Sequence, residues 1–227
     1  MRRILIVIAK SPIPGWVKRR LTPPLDTASA ATLHKCFVLD TLDKAAAVPD
    51  TELVVAFTPE RELTFFREAA PGAGMFIPWP EADAGSTLAS CFQELCGPDR
   101  SVVAIGTDAP TMPARSFELA FNALSSGSAE VVFGPASNGG CYLLGTSAYD
   151  GSVLGKFNWP AFNPEGEGVE LAAGLGIGWY LLPEMLTVDV PSELMQLKKA
   201  LFESAGESMW APRTRLYMEC LKDTGAI

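Results

Sequence analysis

Short apolar runs rich in isoleucine and valine alternate with longer amphipathic stretches along the chain. The runs at 3–9 (RILIVIA), 53–58 (LVVAFT) and 101–106 (SVVAIG) are continuous, which is typical of strands buried on both faces. Shorter strands are predicted at 75–78, 129–133 and 141–145, and extended chain at 179–190. The helices predicted between them cover 27–47, 60–70, 85–96, 113–125, 165–175, 192–204 and 212–222. This alternation predicts an α/β fold, with helices on both faces of a mostly parallel sheet.

The composition is that of a folded protein, since 48% of the 227 residues are hydrophobic and 19% are charged. We expect a single domain over 1–227, with about 206–227 as a C-terminal helical extension. The formal net charge of −8 argues against nucleic acid as a partner. No apolar run approaches the roughly 20 residues of a membrane span. Five cysteines without a CxxC pair, and no signal-peptide pattern, predict a reduced cytoplasmic protein.

The first twenty residues hold six basic residues and no acid, in an otherwise acidic chain. This contrast predicts a local anion site. The loop at 10–21 follows the first strand, and its side chains Lys10, Lys18 and Arg20 could converge on a phosphate around Gly15. The loop lacks the spacing of a P-loop, so an ordinary solvated loop is the alternative interpretation.

Two acidic residues at the ends of apolar segments are candidate metal ligands. Asp108 follows the strand at 101–106, at the edge where ligands bind in parallel sheets, and its carboxylate could bind Mg²⁺. Its alternative role is to cap the helix that starts near Pro113. Asp189 comes from a distant part of the chain, just before a helix for which Ser192 is the expected N-cap. Asp189 could be the second carboxylate of the same site, or only part of the helix start.

Other polar residues have structural interpretations beside functional ones. Asn138 and Gly139 predict a hairpin turn between two apolar runs, and with Gly140 they would also let a ligand approach the backbone closely. The only histidine, His34, falls inside a predicted helix with no nucleophile nearby, so we expect it to be structural. We expect Arg2, which flanks the first strand with Arg3, to be a solvated surface charge.

Four segments together resemble the selenodomain-associated transferase-type family of the GT-A nucleotide-diphospho-sugar transferase superfamily. That family's K-x-P-x-P-G-x-V-K-T-R-L motif stands here at 10–21, and its I-G-T-D-x-P motif at 105–110. Its G-P-x-x-D-G-G-Y and V-D-T-P-E-D-L motifs match in part at 134–141 and 188–194. The order and spacing of all four agree, and Trp159 falls where the family has a tryptophan.

The resemblance implies a GT-A fold, which is a three-layer α/β/α arrangement with a mostly parallel mixed sheet. It implies a nucleotide or nucleotide sugar as ligand, held with Mg²⁺ or Mn²⁺ by Asp108 and Asp189. Lys18 and Asp108 would act in catalysis, and Lys18 would hold the nucleotide phosphates. The other phosphate contacts are expected from the same loop, at Lys10, Gly15 and Arg20. The acceptor side is expected at Asn138, Gly139, Gly140 and Trp159.

The activity implied is metal-dependent glycosyl transfer from a nucleotide-diphosphate sugar to a small-molecule acceptor. One alternative is a nucleotidyltransferase that joins a nucleoside triphosphate to a small phosphorylated acceptor. Another is a catalytically degraded nucleotide-binding module. Asn138, which replaces an aspartate of the family pattern, favours the last, whereas the retained Lys18, Asp108 and Asp189 favour the first two. An amide can neither act as a base nor contribute charge. Cys141 in place of a tyrosine and Arg19 in place of a threonine are further departures.

Overall fold

The computed structural model describes residues 1–79, 84–97, 99–148, 163–203, 211–225 and 227. Within them, seven strands form one sheet in the order β3-β2-β1-β4-β6-β5-β7. The strands are β1 (Arg2–Lys10), β2 (Thr51–Thr58), β3 (Met75–Pro78), β4 (Arg100–Ile105), β5 (Val131–Pro135), β6 (Cys141–Thr146) and β7 (Trp179–Leu181). Neighbouring strands are parallel except where β6 pairs with β4 and β5. The sheet is therefore mixed and mostly parallel, as predicted.

Helices cover both faces of this sheet. They are α1 (Thr27–Ala46), α2 (Leu63–Ala69), α3 (Ala84–Leu95), α4 (Arg115–Ser125), α5 (Val169–Gly174), α6 (Pro191–Glu203) and α7 (Pro212–Asp223). Short 3₁₀ turns at Arg19–Leu21 and Glu60–Glu62 and a π-type turn at Pro164–Gly168 complete the regular elements. Within the described part of the chain, every helix is too short or too polar for a membrane span.

The two faces of β1 show how the layers form. Leu5 and Val7 point to the core that contains Phe117 of α4 and Leu42 of α1, whereas Ile6 points to the opposite core. That opposite core includes Leu88 and Phe92 of α3. Side chains alternate between the faces of a strand, so a continuous apolar run supplies both cores. The three-layer α/β/α arrangement is thus confirmed.

A third core lies on the far side of α1 and holds the C-terminal helices. Leu33 and Phe37 of α1 pack there with Leu194 of α6 and Met218 of α7. The predicted C-terminal extension therefore contains a helix that packs on α1. The assignment of 1–227 to one domain stays a prediction.

Most predicted elements are found within a few residues of their expected bounds, and the exceptions lie after β6. The predicted extended segment 179–190 contains only the short strand β7 and an isolated bridge at Met185. Ser192 is not the N-cap of α6, because the helix already begins at Pro191. The predicted hairpin turn at Asn138-Gly139 is confirmed, since Gly139 has a φ of +82° between antiparallel β5 and β6.

Candidate functional site

A cavity of about 600 Å³ lies at the carboxyl edge of the parallel strands. Lys10 at the end of β1, Trp79 just after β3 and Asp108 just after β4 all line it. The turn between β5 and β6 reaches the same edge with Asn138. This is the edge where open α/β sheets bind ligands, and the volume is in the usual range of roughly 300–1,000 Å³ for a small-molecule site.

The centre of the cavity is an ion cluster built by Lys18. Its Nζ donates to Oδ1 of Asp108 at 2.6 Å and to Oδ1 of Asp189 at 2.8 Å. A third hydrogen bond, of 2.6 Å, goes to the carbonyl oxygen of Val188. The Lys18 side chain is only 3% exposed, whereas those of Asp108 and Asp189 are 41% and 34% exposed. The ammonium therefore lies inside, and both carboxylates keep a surface toward the cavity.

The backbone around Lys18 is arranged to turn this side chain inward. Lys18 has a φ of 48° and a ψ of 34°, a left-handed conformation that non-glycine residues adopt at a cost. The neighbouring Val17 and Leu21 are buried and anchor the loop. The Lys18 ammonium also lies 5.5 Å from the ring centroid of Phe37 on α1. Packing of the loop onto α1 thus holds the residue in a strained conformation that points its charge at the two carboxylates.

A backbone hydrogen bond joins the two segments that carry the carboxylates. The amide of Val188 donates to the carbonyl oxygen of Asp108 at 2.9 Å, which links two segments far apart in the sequence. The Glu193 carboxylate accepts from the amides of Asp189 and Val190 at 2.6 and 2.9 Å, so it fixes the start of α6. Asp108 does not cap α4, which begins at Arg115 without a capping side chain.

Charge pairing shifts the pKa values of the cluster in opposite directions. Burial alone would lower the pKa of Lys18, but the charges and hydrogen bonds of Asp108 and Asp189 outweigh it and raise the pKa. Loss of water around Asp108 would raise its pKa, but the Lys18 ammonium more than compensates and lowers it. Both groups are therefore ionised at neutral pH.

Three further cations surround the cluster. Lys10, Arg19 and Arg20 line the cavity and are exposed. Among the described residues, none of the three has an acidic partner within ion-pair distance. In contrast, Arg2 pairs with Glu52 and Arg3 pairs with Glu118, and both pairs lie outside the cavity. Lys10, Arg19 and Arg20 are thus available in the cavity to an incoming anion.

Three buried polar atoms adjoin the cavity without a hydrogen-bond partner among the described residues. They are Nδ1 of His34, Nε1 of Trp79 and Oγ1 of Thr187, and all three residues line the cavity. His34 Nε2 lies 3.1 Å from the carbonyl oxygen of Lys10, and burial, with the charge of Lys18, lowers the pKa of His34 to about 4. The ring is neutral at pH 7, so Nε2 donates and Nδ1 is left as an acceptor.

The structure brings most of the sequence-predicted residues together at this cavity. Lys10, Lys18 and Arg20 line it with Asp108 and Asp189, and Asn138, Gly139 and Gly140 line it from the hairpin. Gly15 does not line it; with a φ of +75° it forms the bend of the loop. Trp159 lies outside the described residues.

The hairpin turn has a structural role in addition to its place in the cavity. The side-chain oxygen of Asn138 accepts from the amide of Gly140 at 3.0 Å, which closes the turn. Cys141, which directly follows Gly140, is buried, and burial raises the pKa of its thiol to about 12. This thiol is therefore protonated at neutral pH and does not act as a nucleophile there.

Sequence reasoning missed Arg19, Trp79 and Thr187 as cavity residues, and it interpreted His34, which also lines the cavity, only as structural. His34 lies one helical turn from the buried Ala30 and Val38, so helix periodicity already placed it on the inner face of α1. Trp79 directly follows a predicted strand, which is a signal for the ligand edge. Thr187 lies in an irregular segment, and no local pattern marks it.

Comparison with solved structures gives three similar folds. A protein from Desulfovibrio desulfuricans G20, described as a candidate nucleotide-diphospho-sugar transferase, is 24% identical with a TM-score of 0.78, over 96% of this chain and 97% of that chain. A cytidylyltransferase from Leptospira borgpetersenii serovar Hardjo-bovis is 14% identical with a TM-score of 0.57, over 100% and 96%. CMP:2-keto-3-deoxy-manno-octonic acid synthetase in complex with CTP is 12% identical with a TM-score of 0.54, over 89% and 99%. The chain thus shares its fold with these three proteins.

The comparison with curated proteins found no match. The family described as "Uncharacterized protein conserved in bacteria (DUF2064)" matches residues 41–161, which is more than half of the chain. The matched segment contains Asp108 and the Asn138 turn, whereas the Lys18 loop and Asp189 lie outside it. The chain belongs to the DUF2064 family.

Proposed function

We propose that the protein is a transferase that uses a nucleotide-diphosphate sugar and a small-molecule acceptor. The observation that carries this proposal is the cavity at the strand ends, where Lys10, Arg19 and Arg20 face an incoming anion around the Lys18–Asp108–Asp189 cluster. Nucleotide diphosphates carry several negative charges in a compact group, and unpaired cations are what such a ligand requires. The fold shared with nucleotide-using transferases supports the same assignment.

The donor atoms present suit Mg²⁺ or Mn²⁺. Asp108 and Asp189 each contact the same ammonium, so their Oδ1 atoms can be no more than roughly 5.4 Å apart. Carboxylate oxygens are the ligands that these hard cations prefer. No group of three or more metal-ligating side chains lies together in the described parts of the chain. Asp108 and Asp189 would therefore hold the ion with oxygens of the diphosphate and water, where it would neutralise charge on the phosphates.

The protein's own cations would serve the chemical step. Glycosyl transfer breaks the bond between the anomeric carbon and a diphosphate oxygen, and negative charge then develops on the leaving diphosphate. Lys10, Arg19 and Arg20 line the cavity that would receive this group, and their charges do not depend on a proton transfer. The hairpin at Asn138 faces the same space and would contact the acceptor, for which Trp159 is the other predicted contact.

The second candidate function is nucleotidyl transfer from a nucleoside triphosphate to a small phosphorylated acceptor. Two of the similar folds, the cytidylyltransferase and the synthetase in complex with CTP, favour it. The two reactions differ in the bond that is broken and in the product released. Glycosyl transfer releases a nucleoside diphosphate, whereas nucleotidyl transfer releases pyrophosphate.

A thermal-shift panel tests the proposal. Nucleoside diphosphates, nucleoside triphosphates and nucleotide sugars are each added with and without Mg²⁺ or Mn²⁺. We expect a nucleotide sugar with metal to stabilise the protein most. A ligand at 100 times its Kd adds about 2.7 kcal/mol to the unfolding free energy, which a thermal shift detects. Stronger stabilisation by one triphosphate would favour nucleotidyl transfer, and stabilisation without turnover would favour a binding module. No stabilisation by any nucleotide would refute the nucleotide-binding assignment.

The metal ligands have their own test. Calorimetric titration of the best nucleotide, with and without Mg²⁺, is compared for the wild type, Asp108→Ala and Asp189→Ala. We expect Asp108→Ala to remove the metal-dependent part of the nucleotide affinity, because it loses a ligand at the strand end. Asp189→Ala should act in the same direction but less. Wild-type affinity that is indifferent to metal would show that the two carboxylates are not a metal site.

A further inference from the structure

We infer that Lys18 is a tethered counter-ion that keeps the metal site closed until a nucleotide arrives. Its ammonium lies between the Oδ1 atoms of Asp108 and Asp189, so a divalent metal and Lys18 compete for the same two carboxylates. The inference rests on the proposed function, which supplies the metal and the nucleotide. It adds an order of events, in which the phosphates draw Lys18 away and the metal takes its place.

The hydrogen bonds of Lys18 are already saturated. An ammonium has three N–H donors, and these have three acceptors at 2.6–2.8 Å in Asp108, Asp189 and the carbonyl of Val188. The side chain is 3% exposed, so it presents almost no surface to a ligand in the cavity. Lys18 therefore has no N–H left for a phosphate in this state. It can contact a phosphate, as the sequence motif implies, only after it leaves the carboxylates.

Distance and charge both prevent metal and ammonium from sharing this place. A Mg²⁺ ion bound to both carboxylates needs oxygens at about 2.1 Å and lies between them. Nζ already occupies the space between the same two oxygens. The repulsion between a +1 and a +2 charge a few ångströms apart is large wherever water is scarce. A metal that takes the same two Oδ1 atoms without nucleotide thus has to break the two bonds of Lys18 to the carboxylates.

The surroundings supply the means to release Lys18. Lys10, Arg19 and Arg20 are exposed in the cavity and would bind the diphosphate first. The lysine stem is flexible, so the ammonium can turn from the carboxylates to phosphate oxygens. Thr187 Oγ1 and His34 Nδ1 adjoin the cavity without partners among the described residues, which indicates that a bound ligand or water completes this site. Metal and nucleotide should therefore bind cooperatively, with Lys18 as the link.

Binding of Mn²⁺ in the absence of nucleotide tests this inference, with free Mn²⁺ measured by electron paramagnetic resonance. The wild type should bind Mn²⁺ weakly, and Lys18→Met should bind it about tenfold more tightly, which is a typical size for coupled sites. Lys18→Arg keeps the cation and should bind as weakly as the wild type. Lys10→Met is the matched control, because it removes one positive charge from the same cavity without touching the carboxylates; its effect should stay below about threefold.

A second measurement uses the wild type and does not depend on the folding of a variant. Acylation of lysines by an N-hydroxysuccinimide ester is followed by mass spectrometry. Lys18 should react slowly in the protein alone, because it is buried, and faster when Mn²⁺ is added without nucleotide at a concentration that saturates the weak wild-type site. Exposed Lys10 should react at the same rate in both conditions.

The outcomes separate this inference from the proposed function. If Lys18→Met binds Mn²⁺ no more tightly than the wild type, or if Mn²⁺ at a saturating concentration leaves Lys18 unreactive, Lys18 does not close the metal site. If nucleotides still stabilise the wild type in that case, the proposed function is supported and only the counter-ion role of Lys18 is refuted. If Lys18→Met gains Mn²⁺ affinity but no nucleotide stabilises the protein, competition between Lys18 and the metal is supported and the proposed function is refuted.

Discussion

At the scale of single residues, His34 shows how the cavity changes the chemistry of a side chain. Burial, with the nearby charge of Lys18, lowers the pKa of His34 from 6.5 to about 4, although Asp108 partly opposes this shift. The unfolded chain therefore binds one more proton than the folded protein between pH 6.5 and pH 4. The stability that depends on neutral His34 is complete above about pH 6.5 and is lost as the pH falls through this window.

We predict that His34→Gln flattens this part of the pH profile. Between pH 7 and pH 4.5 the wild type should lose about 2 kcal/mol of unfolding free energy through His34, and the variant should lose much less. Glutamine retains an N–H that can reach the carbonyl of Lys10. Urea unfolding at the two pH values measures the difference. His34 is the only histidine of the chain, so an unchanged pH profile in the variant would show that its ring is not buried and neutral.

The residue scale also shows what the sequence could not predict. The candidates Lys18, Asp108 and Asp189 were recognisable from motifs, but their direct contact was not. The partners of Lys18 are 90 and 171 residues away, so only the tertiary fold brings them together. The left-handed backbone at Lys18 is another consequence of packing, since no glycine marks it in the sequence.

At the scale of elements, one buried carboxylate holds the C-terminal helix on α1. Asp40 of α1 accepts from the amides of Arg213 and Thr214 at 3.1 and 2.9 Å, and from the Thr214 hydroxyl at 2.7 Å. Its side chain is fully buried. The first amides of a helix have no partner within it, so Asp40 satisfies donors at the start of α7 from another helix.

We predict that Asp40→Ala lowers the unfolding free energy by about 3 kcal/mol, because it leaves these buried donors without a partner. Asp43→Ala is the control, since Asp43 also pairs with Arg213 but both side chains are about half exposed. An exposed ion pair contributes less than about 1 kcal/mol. Urea unfolding of both variants provides the comparison, and equal losses would contradict a capping role for Asp40.

The elements themselves were predictable to different degrees. β1, β2 and β4 are continuous runs of branched apolar residues, and burial on both faces leaves few alternatives for such runs. The Asp26 cap of α1 was also predictable, because its carboxylate accepts from the amide of Ser29 as in most helix starts. The segment after β7 was not predictable. Leu182 and Met185 each donate a backbone hydrogen bond to β5, but their backbone is irregular and forms no continuous strand. The start of α6 depends on Glu193, whose side chain reaches back to Asp189.

At the scale of the whole molecule, the distribution of charge matters more than its sum. The chain has a net charge of −8, yet four basic side chains line one cavity. Lys18 is neutralised there by two carboxylates, which leaves Lys10, Arg19 and Arg20 for a ligand. An acidic surface with a basic cavity repels polyanions in general and concentrates small anions at one place. Selectivity for a small phosphorylated ligand would follow from this arrangement.

The last prediction compares two pairs of arginines with the same change of charge. Arg19→Gln with Arg20→Gln should weaken binding of a nucleoside diphosphate by roughly 100-fold or more, since two charge-assisted hydrogen bonds of at least about 1.5 kcal/mol each are lost. Arg2→Gln with Arg3→Gln is the control, because these arginines pair with Glu52 and Glu118 outside the cavity. Calorimetric titration at low and at physiological salt measures both pairs. The wild-type affinity should fall as salt rises, and the cavity variant should show a shallower fall because fewer charges remain to be screened. If both pairs weaken binding equally, the attraction comes from net charge alone and Arg19 and Arg20 do not contact the phosphates.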